Sequence, residues 1–142
     1  MKTEQQKQTD RLDDLFSELT RRKAILNVGG CERCLTPKYD IVKEDGFIFP
    51  AWKQLQCAHF KGKRNHALRW DEDNAAGICG GCHTYFHANP DKATEWFRKR
   101  LGAKADLLEV RAQMSGKDID KSAIEIYLKH KITKLKEKNG AE

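Results

Sequence analysis

The sequence predicts a small α+β domain that is stabilised by bound metal and flanked by helices. Two Cys-x-x-Cys pairs are the first observation, because four thiols at this spacing supply a complete ligand set for one zinc ion. Short strand-like stretches near the thiols are the second, and amphipathic helical periodicity outside them is the third. The predicted segments are an N-terminal helix at 1–27, a zinc-stabilised core at 28–102 and a basic C-terminal helical extension at 103–142.

The composition allows one modest hydrophobic core. The chain has 142 residues, of which 34% are charged, and its mean hydropathy is −0.78. A core of this size needs support, and bound metal is the obvious source. The formal net charge of +6 favours a polyanionic partner, although a basic protein without such a partner can carry the same charge.

The sequence carries no membrane or export signal that we recognise. It has no apolar run of the about 18 residues that span a bilayer, and polar residues follow Met1. We therefore expect a cytoplasmic protein without a membrane partner. Thiols stay reduced in that compartment, so paired cysteines there indicate metal ligands before disulfides.

The stretch from Thr3 to Leu26 predicts a long amphipathic helix. Thr3 and Gln6 have the spacing of a capping box, and Gly29 is a suitable stop. Apolar side chains recur at steps of three and four residues, at Leu12, Leu15, Phe16 and Leu19. Whether this stripe packs on the rest of the domain or on another chain stays open.

Two pairs of short strands are predicted next. An Asp-Gly dipeptide lies between the β-prone runs 39–42 and 47–49 and is typical of a hairpin turn. Residues 54–60 alternate in polarity and predict a strand with His59 near its end. Residues 75–78 can return as its short partner strand.

Four helices are predicted after these strands. The first starts at Gly80 and ends before Pro90, and the second covers 91–101. The third stops at Ser115-Gly116, and its apolar residues are Leu107, Val110 and Met114. The last, 119–138, has an apolar stripe and many lysines, so it could follow a duplex backbone or pair with another protomer.

The two thiol pairs predict a structural zinc site. Its four ligands would be Cys31, Cys34, Cys79 and Cys82. Buried free cysteines would need two such spacings by accident, and a redox dithiol lacks the βαβ pattern that usually surrounds it. The fifth cysteine, Cys57, is better explained as a small core side chain.

Three further residues have the types and order of an HNH nuclease core, namely His59, Asn74 and His83. Phosphodiester hydrolysis needs an activated water, a Lewis acid and a group that orients the base. In an HNH core a strand histidine removes the proton from water, a loop asparagine holds that imidazole, and a helix histidine binds a divalent cation. We assign these catalytic roles to the three residues in that order.

The segment from Cys31 to about Gly102 resembles the NinG (Rap) recombination nucleases of phage lambda. The shared motifs, in matching order, are Cys31-x-x-Cys34, Ala58-His59-Phe60, Leu68-Arg69-Trp70-Asp71-Glu72-x-Asn74, Cys79-x-x-Cys82 and Asn89. The resemblance covers about half of the chain. It implies a ββα-metal (His-Me finger) core with a treble-clef-like zinc site, in a phage or prophage endonuclease that acts on branched recombination intermediates.

One departure concerns the catalytic metal. Many HNH proteins have a metal-binding Asp just before the base, whereas this chain has Ala58, and the NinG-like proteins also lack the Asp. We expect His83 and His87, four residues apart on one helix face, to bind the divalent ion together. Asn74 or Asp71 are alternative ligands, and His87 could equally be a solvent-facing residue.

Basic residues around His59 are candidate contacts to DNA phosphates. They are Lys61, Lys63, Arg64 and Arg69. The other interpretation is a solvated loop whose charges keep the protein in solution. For Arg69 we favour a functional or site-organising role, and for Trp70 we favour packing over base stacking.

These observations predict an HNH endonuclease that hydrolyses DNA with Mg²⁺ or Mn²⁺ and holds a separate structural Zn²⁺. Branched DNA such as a four-way junction is the expected substrate, and cutting two strands suggests a two-fold homodimer. The alternatives are an HNH nicking or double-strand endonuclease without structure preference, and a zinc module that binds nucleic acid without cutting it.

Overall fold

A computed structural model describes residues 1–114 and 119–138, which form five α-helices and two small antiparallel sheets. The helices are α1 (Glu4–Val28), α2 (Gly80–Ala88), α3 (Pro90–Leu101), α4 (Ala103–Ala112) and α5 (Lys121–Lys138). The strands are β1 (Ile41–Val42), β2 (Ile48–Phe49), β3 (Gln56–His59) and β4 (Ala75–Ile78). The predicted α+β class is therefore confirmed.

Helix α1 begins and ends as its sequence predicts. The Thr3 hydroxyl accepts a hydrogen bond from the Gln6 backbone N–H, and the Gln6 side chain accepts one from the Thr3 N–H, which completes the capping box. At the other end, Gly29 adopts a left-handed conformation with φ of 71°, which glycine reaches without steric cost.

Both strand pairs form where the sequence places them. Strand β1 pairs with β2 around a turn in which Gly46 has φ of 87°. Strand β3 pairs with β4 so that His59 lies opposite Ala75 at the end of the sheet. A Cβ atom added to Gly77 would lie 2.7 Å from the Ala24 Cβ, so β4 lies directly against α1.

Two hydrophobic clusters hold these elements together. The first joins β3 and β4 to α2 and α3, and its buried members include Leu55, Ala58, Ile78, Cys82, Phe86 and Phe97. The second joins α1 to α5, and its buried members include Leu12, Phe16, Leu19, Trp70, Leu128 and Ile132. The apolar stripe of α1 is therefore covered within the chain, and Trp70 is a packing residue as expected.

Helix α4 packs differently from its predicted pattern. Its apolar residues Leu107 and Val110 are 56% and 66% exposed, whereas Ala105 and Leu108 are buried. The helix ends at Ala112, and the predicted stop at Ser115-Gly116 lies outside the described residues. None of the described helices combines the length and the apolar character that a bilayer crossing requires.

Candidate functional site

The two Cys-x-x-Cys pairs meet in one cluster. The four ligand atoms all lie within 4.8 Å of one another, with Cys31 Sγ 3.7 Å from Cys82 Sγ and Cys34 Sγ 3.8 Å from Cys79 Sγ. Tetrahedral zinc with bonds of about 2.3 Å would place its sulfur ligands about 3.8 Å apart. The cluster therefore has the composition and the spacing to hold a metal ion such as zinc.

Each pair is shaped by local backbone hydrogen bonds. In the first pair, Leu35 takes an unusual φ of 63° and its N–H donates to the Cys31 carbonyl at 2.9 Å, which folds the chain back over the cysteine. In the second pair, Cys79 is the N-cap of α2 and its sulfur accepts from the Cys82 N–H at 3.5 Å. The positive end of the α2 dipole thus faces the sulfurs and favours thiolates there.

The surroundings of the sulfurs are unequal. Hydrogen bonds from the Thr36 side chain and backbone lower the pKa of Cys34 to about 6. Burial raises the pKa of Cys82 to about 12, although Arg33 Nη1 donates to its sulfur at 3.4 Å. A bound cation would offset this desolvation and keep all four sulfurs as thiolates, as zinc coordination requires.

Four of the sequence-predicted residues line one open cleft of about 510 Å³ between β3 and α2, which we call the histidine cleft: His59, Lys63, His83 and His87. His59 contributes from the end of β3, and His83 and His87 contribute from successive turns of α2. Because His83 directly follows Cys82, the cysteine cluster also fixes the helix turn from which His83 projects. The structure thus brings the candidate base and the candidate metal ligands together.

The imidazoles of His83 and His87 converge in this cleft. Their Nε2 atoms are 3.2 Å apart, and His83 Nδ1 is hydrogen bonded to Gln56 Oε1. Two nitrogens at about 2.1 Å from one cation are about 3.0 Å apart at a right angle and about 3.4 Å apart in a tetrahedron. The pair fits a divalent ion, and without one the same distance suits an N–H···N hydrogen bond.

His59 sits in a mostly buried position with a defined proton state. Burial lowers its pKa below the ordinary value of 6.5, and the nearby Lys63 ammonium lowers it further. The Arg69 backbone carbonyl accepts a hydrogen bond from the ring, which opposes these effects but does not reverse them. The ring also lies 5.6 Å from that of Phe16, centroid to centroid. The neutral form of His59 is therefore favoured at neutral pH.

The expected contact between Asn74 and the His59 ring is wrong. Asn74 is fully buried, and its amide accepts from the Lys61 N–H at 2.7 Å and donates to the Lys61 and Leu68 carbonyls at 2.9 and 3.1 Å. The imidazole is instead held by the Arg69 carbonyl, one residue beyond Leu68. Asn74 thus closes the loop between β3 and β4 and acts on His59 only through the backbone.

The four predicted phosphate contacts have unequal surroundings. Arg69 donates from Nε and Nη2 to both carboxylate oxygens of Asp13, at 3.0 and 2.7 Å, which favours the site-organising role. Lys61 pairs with Glu109 at 2.7 Å, and Lys63 lies 3.9 Å from Asp13. Arg64 is exposed and forms no ion pair with the residues that the structure describes.

The alternative metal ligands do not line the histidine cleft. The Asp71 carboxylate accepts from Arg111 Nε at 2.8 Å and from the Asp73 N–H at 3.0 Å, and Asn74 is engaged as described above. Sequence reasoning missed two supporting residues, Gln56 behind His83 and Asp13 behind Arg69. The alternation of β3 separates Gln56 from His59, but no local pattern shows which helix covers each face.

The candidate site therefore has two parts, a cluster of four cysteines and an open cleft with three histidines, joined by helix α2. The chain as a whole matches no protein-family model, no curated protein and no solved structure in the comparisons made.

Proposed function

We propose that the protein is a metal-dependent DNA endonuclease of the HNH type. The observation that carries the proposal is the histidine cleft, where a neutral, mostly buried His59 and the convergent pair His83 and His87 face the same space. A base and a cation site at one cleft are the two parts that phosphodiester hydrolysis needs.

His59 is the general base in this proposal. Its ring is uncharged at neutral pH because burial lowers its pKa, and the Arg69 carbonyl fixes the orientation of the imidazole. The free ring nitrogen can therefore take a proton from water that attacks the phosphorus. Asn74 supports this orientation because it bonds to the backbone of Leu68, the residue before Arg69, and to that of Lys61.

His83 and His87 would hold the divalent cation through their Nε2 atoms. Bound there, Mg²⁺ or Mn²⁺ would polarise the scissile phosphate and stabilise the leaving oxygen. The hydrogen bond between His83 Nδ1 and Gln56 Oε1 orients the ring so that its Nε2 lone pair points into the cleft. Two protein ligands leave room for phosphate oxygens and water in the remaining positions.

The cysteine cluster would hold a structural zinc ion that is separate from the catalytic cation. Its four sulfurs complete a tetrahedron and leave no open position for substrate. In this arrangement the zinc fixes the first turn of α2, from which His83 projects. The β3, β4 and α2 elements would then correspond to the ββα-metal core that the NinG resemblance implies.

The proposed substrate is branched DNA such as a four-way junction, and this choice depends on the NinG resemblance. The net charge of +6 supports a polyanionic substrate of any shape. A two-fold homodimer would place two such clefts on the two strands of a junction. An HNH endonuclease without structure preference has the same cleft and is the second candidate.

The decisive experiment compares cleavage of a labelled four-way junction with that of a matched linear duplex, in Mg²⁺ or Mn²⁺. The wild-type chain should cut the junction selectively, and His59→Ala should cut neither substrate while still binding DNA and melting as the wild type does. His130→Ala is the control, because His130 is an exposed histidine on α5 that does not line the cleft. It should cut as the wild type does.

Equal cutting of both substrates would leave a general HNH endonuclease. Full activity of His59→Ala would exclude His59 as the base. A wild-type chain that binds DNA and zinc but cuts nothing would be a non-catalytic nucleic-acid-binding module.

A further inference from the structure

A second cleft of about 270 Å³ lies on the α1 side of His59. Its walls include Ser17 and Arg21 from α1, and it shares Cys57, His59 and Lys63 with the histidine cleft. The two clefts therefore adjoin at His59. A DNA strand bound with its reacting phosphate beside His59 would place the neighbouring nucleotide in the second cleft.

Arg21 is held in this second cleft with most of its hydrogen-bonding capacity unused. Its Nε donates to the Ser17 carbonyl at 3.1 Å, and its Cζ lies 4.7 Å from the centre of the Trp52 ring. Within residues 1–114 and 119–138, its guanidinium makes no other hydrogen bond and no ion pair. Both terminal amino groups are thus left to bind a ligand.

Two of the acidic groups near Arg21, Glu18 and Asp13, are paired with other cations, whereas Asp14 forms no ion pair among the described residues. Glu18 accepts from Arg22 Nε at 2.7 Å, and Asp13 accepts from Arg69 and from Trp70 Nε1, the latter at 2.9 Å. Asp14 and Glu18 act on the Arg21 charge without an ion pair. With Lys63 also on its wall, the second cleft has an excess of positive charge and suits an anion.

We propose that Arg21 binds a phosphate of the DNA strand adjacent to the one that His59 serves. A guanidinium that lies over an aromatic ring and is fixed through its Nε to a backbone carbonyl is preorganised to clamp a phosphate with two parallel N–H···O bonds. Burial of part of the side chain strengthens that contact, since the cleft screens the charges less than bulk water does. This inference rests on the proposed function. It implies that the DNA strand runs from the histidine cleft past His59 to α1.

The test compares Arg21→Gln with Arg11→Gln for binding to a labelled DNA junction over a range of salt concentrations. No Mg²⁺ or Mn²⁺ is added, so the strands stay intact. Arg11 is the matched control, because it also lies on α1 and pairs with Glu125 on α5 at 3.6 Å, yet lines neither cleft. Arg21→Gln should weaken binding about tenfold and reduce the slope of log K against log salt by about 0.7–0.9. Arg11→Gln should change neither quantity.

A second variant covers the case in which Arg21→Gln does not fold, as judged by thermal unfolding. Ser17→Glu places a carboxylate one helical turn before Arg21, where it can occupy the free amino groups, and it should reduce the slope in the same way. This inference alone is overturned if the wild type binds and cuts DNA but the folded Arg21→Gln variant binds DNA as the wild type does. Ser17→Glu takes the place of Arg21→Gln in this comparison if Arg21→Gln does not fold. If the wild type binds no DNA, the proposed function fails with it.

Discussion

The cysteine cluster and the histidine cleft are neighbouring sites with opposite designs. The cluster has four ligand atoms within 4.8 Å, two of them on buried residues, and so offers a closed tetrahedron. The cleft has two nitrogens 3.2 Å apart beside about 510 Å³ of open space. Closed sites are typical of structural metals, and sites with open positions are typical of catalytic ones. Helix α2 joins them, since Cys82 ends the first set and His83 begins the second.

The largest expected effect is a loss of protein stability, which we expect for changes in the cysteine cluster and not for changes in the histidine cleft. Cys31→Ser removes a buried sulfur from the cluster and should abolish cooperative thermal unfolding and zinc binding, because structural zinc contributes about 10–16 kcal/mol to folding in small domains. Cys57→Ser is the matched control, since Cys57 lies outside the cluster, and it should keep its zinc content and its melting transition. Circular dichroism and metal analysis of the purified variants measure both quantities.

Cys34→Ser tests the same cysteine cluster at its exposed ligand. Loss of one ligand should release zinc at a lower chelator concentration than in the wild type. A folded Cys34→Ser protein with unchanged zinc content and chelator resistance would contradict the four-cysteine assignment.

The second effect concerns the loop that supports the cleft. Asn74→Ala removes three hydrogen bonds, two part-buried ones to the Lys61 backbone and a buried one to Leu68, and should lower the free energy of unfolding by about 2–4 kcal/mol. Asn65→Ala removes a single bond to the Ala112 carbonyl and should cost about 1 kcal/mol. Urea denaturation measures both. Equal losses for the two variants would show that Asn74 does not close the loop.

The contrast between the sites also explains what the sequence could predict. Cys-x-x-Cys spacing is local and sets two ligands at once, so it identifies all four cysteines, and caps, turns and strand alternation predict α1, both strand pairs and α2. The roles of Asn74 and Gln56 depend on which segments the fold brings beside them. The same holds for Asp13, which lies 56 residues before its partner Arg69. Spacing carries no information about such pairs, so the Asn74 contact was predicted with the wrong partner.

The third effect concerns the cleft alone. Gln56→Ala removes the acceptor that orients His83, and it should raise the Mn²⁺ concentration needed for half-maximal cleavage by about 10- to 100-fold. Gln54→Ala is the control, because Gln54 donates to the Tyr39 carbonyl in the first hairpin and not to the cleft. An unchanged Mn²⁺ requirement for Gln56→Ala would remove His83 from the metal site.

The smallest expected effect is a displacement of the pH profile. Burial lowers the pKa of His59 below its ordinary value of 6.5, so kcat should reach a plateau well above the lowered pKa and fall as the pH drops through it. Lys63→Met removes a positive charge that also lowers this pKa, so the acidic limb should move to higher pH at saturating DNA. A wild-type limb centred above 6.5, or one that Lys63→Met leaves in place, would mean that a group other than His59 controls the rate. In the proposed arrangement the cysteine cluster supports the fold and does not contact the substrate, so it should leave this profile untouched as long as its metal is bound.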